Sequence, residues 1–183
     1  MHRNAVGDWA RGRARLPFRS VNRPGKPGYR KHMQRHHLLP RTLLTERSLS
    51  PLFDALGHGE ASLDDFRSNG LLLPALEKAA MVLGLPLHRG PHPRYNEVVA
   101  ERFGQIEAGW QSSRSRNPDE ALRDVVMRMR LLQAALRRAL MQPFAPPRIR
   151  LNLRDPVGFG VDFAELDAMA ETIWTVTQPA GGA

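Results

Sequence analysis

The chain of 183 residues contains no cysteine. Disulfide scaffolds, Cys-ligated zinc fingers, iron–sulfur clusters and cysteine nucleophiles are therefore excluded, and any metal site must use His, Asp, Glu or Asn. Long apolar runs are also missing, because the longest stretches are far shorter than the roughly 18 residues that a membrane-spanning helix needs. The composition that remains, 42% hydrophobic and 25% charged residues, is typical of a single globular domain.

Positive charge is concentrated near the N-terminus. The net charge is +9, but residues 1–47 alone contain 12 basic and 2 acidic side chains, whereas the other 136 residues contain 15 basic and 16 acidic ones. This pattern predicts a nearly neutral body with a basic arm that attracts polyanions, the alternatives being a targeting segment or a merely disordered terminus. No apolar stretch follows the first basic residues, so we expect no Sec-type signal peptide and a cytoplasmic location.

Hydrophobic spacing predicts a mostly helical α+β protein. Residues 31–39 and the apolar run 71–73, which follows an Asn-Gly turn, are predicted to form two short strands. Apolar residues at helical spacing, together with proline and glycine boundary signals, predict helices over residues 48–56, 75–83, 93–110 and 117–141. Asn117 is predicted to cap the last of these helices. Beyond it, the pattern predicts an edge strand at 149–153 and a final helix at 162–176.

Four of the seven histidines lie in positions that suggest chemistry. His36 and His37 are adjacent at the end of a predicted strand, so their side chains face opposite ways, and one can bind a metal while the other faces a reacting group. His88 and His92 are four residues apart with a Gly-Pro pair between them, which predicts a loop ligand followed by a ligand at a helix N-terminus. Taken singly, each pair has the simpler alternative of ordinary surface histidines.

Three segments in this order carry a family pattern: RHHLLP at 35–40, SNGLLLP at 68–74 and LHRGPHPRYNEVV at 87–99. Together they resemble the AHH family of nucleases, a branch of the HNH/endonuclease VII superfamily with the ββα-metal fold. The resemblance covers about residues 33–103. Arg35 stands where the family name expects alanine, a position that has no catalytic role in the family pattern.

The resemblance implies a role for each landmark residue. His36, His88 and His92 would hold one divalent metal ion, and His37 would be the general base that activates water. Asn69, the second residue assigned to catalysis, would open the second strand and hold the loop bearing His37 through hydrogen bonds across the hairpin. In some members of the superfamily the equivalent Asn contacts the metal instead.

Four further residues are candidates for binding the substrate phosphate. Arg35, Arg89 and Arg94 are basic residues close to the histidines in the sequence, and guanidinium groups bind phosphate bidentately. For Arg89 and Arg94 a solvated surface position is an equal alternative. Tyr95 would orient a ligand or the phosphate, or would pack in the core, because it lies on the apolar stripe of its helix.

We therefore expect a ββα-metal core at residues 31–113, preceded by a flexible basic arm at 1–30 and followed by a helical extension at 114–183 packed on the core. The expected activity is metal-dependent endonucleolytic cleavage of DNA, with RNA left open, using Mg, Mn, Zn or Ni. The resemblance implies a toxin that is delivered into a target cell and paired with an immunity protein. The lack of long apolar runs predicts that no membrane is a partner. The alternatives are a non-catalytic nucleic-acid-binding protein with a structural metal, and a basic interaction module without metal.

Overall fold

The computed structural model describes residues 14–60, 63–142 and 151. Within these ranges the chain forms a two-stranded antiparallel sheet and five α-helices, which confirms the α+β expectation. In chain order they are β1 (Met33–His37), α1 (Ser50–Glu60), α2 (Phe66–Asn69), β2 (Gly70–Pro74), α3 (Glu77–Leu83), α4 (Pro93–Ser113) and α5 (Pro118–Met141). Short 3₁₀ turns occur at Phe18–Ser20, Arg41–Thr45 and Arg47–Leu49.

The two strands form the sheet that carries the histidine pair. β1 and β2 pair so that His36 lies opposite Leu71 and His37 lies opposite Gly70. Leu71 and Leu73 of β2 are buried, as are Leu38 and Leu39, which follow β1 directly. Buried leucines therefore hold both β2 and the segment that directly follows β1 in the core.

Two long helices supply most of the remaining core. α4 and α5 pack on each other through apolar residues at helical spacing, among them Tyr95, Val99, Phe103, Ile106 and Trp110 on α4, and Val125, Met129, Leu136 and Leu140 on α5. The Asn117 side chain accepts a hydrogen bond from the Glu120 backbone N–H, which confirms the predicted cap. No helix in the described ranges is long and apolar enough to cross a membrane.

Most predicted element boundaries differ from the observed ones by a few residues. The helix predicted at 75–83 begins at Glu77 and ends where Gly84 adopts the left-handed conformation, with φ 63°. α4 continues to Ser113, three residues beyond its predicted end at residue 110. The predicted helix at 162–176 and residues 1–13 of the basic arm lie outside the described residues, as does the predicted strand at 149–153 apart from residue 151.

Part of the N-terminal arm packs on the body of the protein. The Leu16 N–H donates to the Asp65 carboxylate at 3.0 Å, and the Phe66 N–H donates to the Leu16 carbonyl at 2.7 Å. The Phe18 N–H donates to the Asp64 carbonyl at 3.1 Å, and the Phe18 side chain is buried. Backbone hydrogen bonds and an aromatic anchor therefore fix residues 16–18 against the segment before β2, which the charge distribution did not indicate.

Substitution of Gly70 tests how closely the start of β2 packs against the Phe66 ring of α2. A Cβ at this position would lie within 2.7 Å of Cε2 of Phe66 and closer still to two other ring carbons. The Phe66 ring also packs edge-on against Phe18 and has little freedom to move. We expect Gly70→Ala to lower the free energy of unfolding by about 1–3 kcal/mol, measured by urea denaturation.

The matched control is Gly104→Ala in α4, where an added Cβ meets nothing within 4 Å. Because glycine is unfavourable inside a helix, this substitution should raise the free energy of unfolding by about 0.5–1 kcal/mol. A Gly70→Ala variant that is as stable as Gly104→Ala would contradict the close approach at Gly70.

Candidate metal centre

Three histidines from three different elements converge on one point. His36 lies on β1, His88 lies in the loop after α3, and His92 is the N-cap of α4. Their ring centroids are 5.0 Å apart for His36 and His88, 5.7 Å for His36 and His92, and 4.6 Å for His88 and His92. One ring nitrogen of each lies within 4.8 Å of the others. The structure therefore brings together all three residues predicted as metal ligands.

Local backbone structure explains why these side chains meet. The His88 N–H donates to the carbonyl of Pro74 at 2.7 Å, so the loop after α3 lies against the end of β2. Gly90, with φ 82°, then provides the left-handed turn that most side chains avoid. Pro93 occupies the first turn of α4, where its missing N–H costs no hydrogen bond, and this helix start places His92 beside the hairpin.

Oxygen acceptors hold two of the three imidazoles. Nδ1 of His88 lies 3.1 Å from Oε1 of Gln34, and Nδ1 of His92 lies 2.8 Å from the carbonyl oxygen of Leu151. The Leu151 carbonyl can only accept, so Nδ1 of His92 carries the hydrogen and Nε2 of the same ring is left with its lone pair. Such partners are the usual outer support of metal-binding histidines. Neither partner has a signal in the sequence, although Gln34 is two residues before His36 and so shares its face of the strand.

Burial keeps the cluster uncharged. His36 is 3% exposed, and burial followed by the proximity of His88 and His92 lowers its pKa to about 2. Burial also lowers the pKa of His88, to about 4, and that of His92. The Nε2 atoms of His36 and His92 are buried without a hydrogen-bond partner in the described part of the chain. Converging neutral imidazoles with unpartnered nitrogens are a donor set that fits a divalent transition-metal ion.

His37 lies outside this cluster, on the opposite face of β1. Its ring stacks on Phe18 with a centroid distance of 3.6 Å and an angle of 2° between the planes. Burial, followed by the charge of Arg41, lowers the pKa of His37 to about 4, so the ring is neutral at pH 7. Its Nε2 is buried and has no hydrogen-bond partner among the described residues.

Asn69 fixes the chain directly after His37. Its side chain is fully buried: Oδ1 accepts from the Leu39 N–H at 2.7 Å, and Nδ2 donates to the carbonyls of Leu39 and Leu63 at 3.0 and 2.9 Å. The Leu38 N–H donates to the Asn69 carbonyl at 2.8 Å. From α5, Gln133 Nε2 donates to the same Oδ1 at 3.3 Å. Asn69 thus joins the segment after β1 to the rest of the protein.

The residues predicted to bind phosphate have different environments. Tyr95 is 2% exposed, its hydroxyl donates to the Leu38 carbonyl at 2.7 Å, and its ring packs edge-on against His36. These contacts are typical of core packing, which is one of the two roles predicted for Tyr95. The exposed Arg35 donates Nη1 to the carbonyl of Phe18 at 2.8 Å. Arg89 and Arg94 are exposed next to the ligand histidines, and the phosphate role of the arginines stays a prediction.

Metal binding is testable without reference to activity. Zn²⁺ should raise the melting temperature of the wild type, since it binds the folded protein, and His36→Ala should abolish this rise because it removes the most buried ligand. Gln34→Leu should weaken Zn²⁺ binding about 10- to 100-fold in calorimetry by freeing the His88 ring. The control is His32→Asn, because His32 is an exposed histidine with φ 75°, which asparagine tolerates. Equal Zn²⁺ affinity of His36→Ala and His32→Asn would disprove the centre.

A family model matches the part of the chain that contains these histidines. The model of the AHH family, a nuclease family of the HNH/ENDO VII superfamily with conserved AHH, matches residues 17–129. The match covers well over half of the chain and includes both strands and all four site histidines. Searches of the curated proteins and of the solved structures found no match. The chain keeps both histidines of the family motif, has Arg35 in place of its alanine, and belongs to the AHH nuclease family.

Proposed function

We propose that this nuclease is a metal-dependent endonuclease that hydrolyses phosphodiester bonds of DNA. The observation that carries the proposal is the division of β1 into two faces. His36 joins the three-histidine cluster on one face, and on the other His37 presents a neutral ring with an unpartnered nitrogen. A metal-dependent hydrolytic site of this kind needs both a place for a metal ion and a separate proton acceptor close by.

The core is proposed to be of the ββα-metal type. Its two strands would be β1 and β2, and its helix would be α4, because His92 at the start of α4 completes the cluster that begins with His36 on β1. The long connection between the strands, from Leu38 to Asn69, adds α1 and α2 to this core. Its two ends are joined by the hydrogen bonds of Asn69 to Leu38 and Leu39.

His36, His88 and His92 would hold the metal ion. When bound, a divalent ion would stabilise negative charge on the phosphate oxygens and on the leaving oxygen. Imidazole ligands favour Zn, Ni, Co or Mn, while Mg would need water and phosphate oxygens to complete its coordination.

His37 would be the general base. It would accept a proton at its unpartnered Nε2 from the attacking water, while the water oxygen bonds to phosphorus and the bond to the leaving oxygen breaks. The pKa of about 4 belongs to the free protein, where burial and Arg41 disfavour the charged ring. A phosphodiester anion beside the ring would raise this pKa toward neutrality and so strengthen the base.

Basic residues would bring the substrate to this site. Arg35 lies on the same face of β1 as His37, and the exposed Arg89 and Arg94 flank the ligand histidines in the sequence. Together with the basic residues of 1–47 they would attract phosphates regardless of base sequence, an attraction that weakens with salt. RNA offers the same phosphate chemistry as DNA and is the second substrate to test.

Two further parts of the proposal rest on different grounds, the toxin role on the family resemblance and the role of the extension on contacts made by α5. The nuclease would act in the cytoplasm or, as a toxin, in a target cell, with an immunity protein as its inhibitor. The extension at 114–183 would brace the core, as the contacts of Gln133 and Arg137 in α5 with α2 suggest.

Plasmid nicking tests the proposed reaction. The wild type should nick supercoiled plasmid with Mn²⁺ or Mg²⁺, and EDTA should stop the reaction because the charge stabilisation is lost. His37→Ala should slow nicking about 100- to 10,000-fold, the usual contribution of a general base, while Zn²⁺ affinity is unchanged.

The control for this experiment is again His32→Asn, which should nick as the wild type does. Nicking by His37→Ala at the wild-type rate would refute the general-base role. If the wild type binds Zn²⁺ and DNA but neither nicks plasmid nor cleaves RNA, the result supports the alternative, a non-catalytic nucleic-acid-binding protein with a structural metal.

A further inference from the structure

The Phe18 ring stacks on that of the proposed general base, His37. Its ring lies parallel to that of His37, with 3.6 Å between centroids and 2° between planes. The side chain is 5% exposed, although it belongs to the basic N-terminal segment. A flat ring in van der Waals contact with one face of an imidazole prevents the imidazole from rotating about its Cβ–Cγ bond, a torsion that is otherwise broad.

Several contacts hold Phe18 in this position. Its N–H donates to the Asp64 carbonyl, and its carbonyl accepts from Arg35, which shares a face of β1 with His37. Its ring packs edge-on against Phe66, with 5.1 Å between centroids. The surface on which His37 stacks is therefore fixed to β1 itself and to the segment before β2.

We propose that Phe18 is a positioning residue that fixes the plane of the His37 imidazole and hence the direction of its proton-accepting nitrogen. Orientation of a reacting group contributes strongly to rate, and a misplacement of about 1 Å can cost about 100-fold. The inference rests on the proposed role of His37 as general base. It assigns a function in the reaction to a segment that the sequence pattern marks only as a source of positive charge.

Substitution at Phe18 separates positioning from stability. Phe18→Leu keeps an apolar side chain but removes the flat face, so kcat for plasmid nicking with Mn²⁺ should fall about 10- to 100-fold, with KM and Zn²⁺ affinity unchanged. Phe18→Tyr restores the aromatic face and should restore kcat.

The matched control is Phe53→Leu, because Phe53 also stacks on an aromatic ring, that of Phe103, with 5.4 Å between centroids and 15° between planes. This pair lies in the core away from the histidines. The control should lower the melting temperature without lowering kcat at a temperature where the protein is folded. If Phe18→Leu keeps the kcat of Phe53→Leu, the positioning role is refuted while the proposed function stands.

Nuclear magnetic resonance tests the contact independently of activity. In the metal-free wild type the ring protons of Phe18 and His37 should show cross-relaxation, and the His37 ring protons should be shifted upfield by the aromatic ring current. Phe18→Leu should abolish the upfield shift. Absence of cross-relaxation in the wild type would refute the stack, even if Phe18→Leu does not fold. A wild type that shows the stack but does not nick nucleic acid would refute the proposed function, and the positioning role with it.

Discussion

The buried side-chain amide of Asn69 is the interaction on which the site depends. A buried amide must satisfy both its donors and its acceptor, since each unsatisfied group costs about 1–3 kcal/mol. Asn69 meets this requirement through Leu39, Leu63 and Gln133, which lie in three separate parts of the chain. The same bonds that make its burial tolerable therefore hold the residues after His37 in one position relative to β2 and α5.

Because side chains alternate along a strand, the two faces of β1 present different residues. Gln34 and His36 face the cluster, while Arg35 and His37 face the N-terminal segment. A slip of one residue in the pairing would exchange the two faces, so the register has to be fixed. The pairing of His37 with Gly70, where the Phe66 ring leaves no space for a Cβ, adds a steric constraint at the end of the strand that carries the histidines.

The sequence predicted those features that have a local cause. The period of α4 and α5, the Asn117 cap and the Gly84 helix end all depend on residues within a few positions, and the histidine cluster followed from three motifs in a known order. The supports of the site have no such signal. Leu151 is 59 residues from His92 and Gln133 is 64 from Asn69, and neither periodicity nor charge indicates which distant residues meet. Phe18 lacks a signal for another reason, because the basic residues around it indicate only attraction of polyanions.

These supports also show how the protein uses residues beyond its family core. The family match ends at residue 129, yet Gln133 reaches Asn69, Arg137 donates to the carbonyls that end α2, and the carbonyl of Leu151 holds His92. Burial of neutral imidazoles with unpartnered nitrogens is unfavourable in the free protein, so the fold must compensate for it elsewhere. The extension supplies part of that compensation, because its contacts hold the two groups that orient the site, the Asn69 amide and the His92 ring. The family core thus carries the histidines, and the following residues hold them in a geometry that a bound metal would stabilise further.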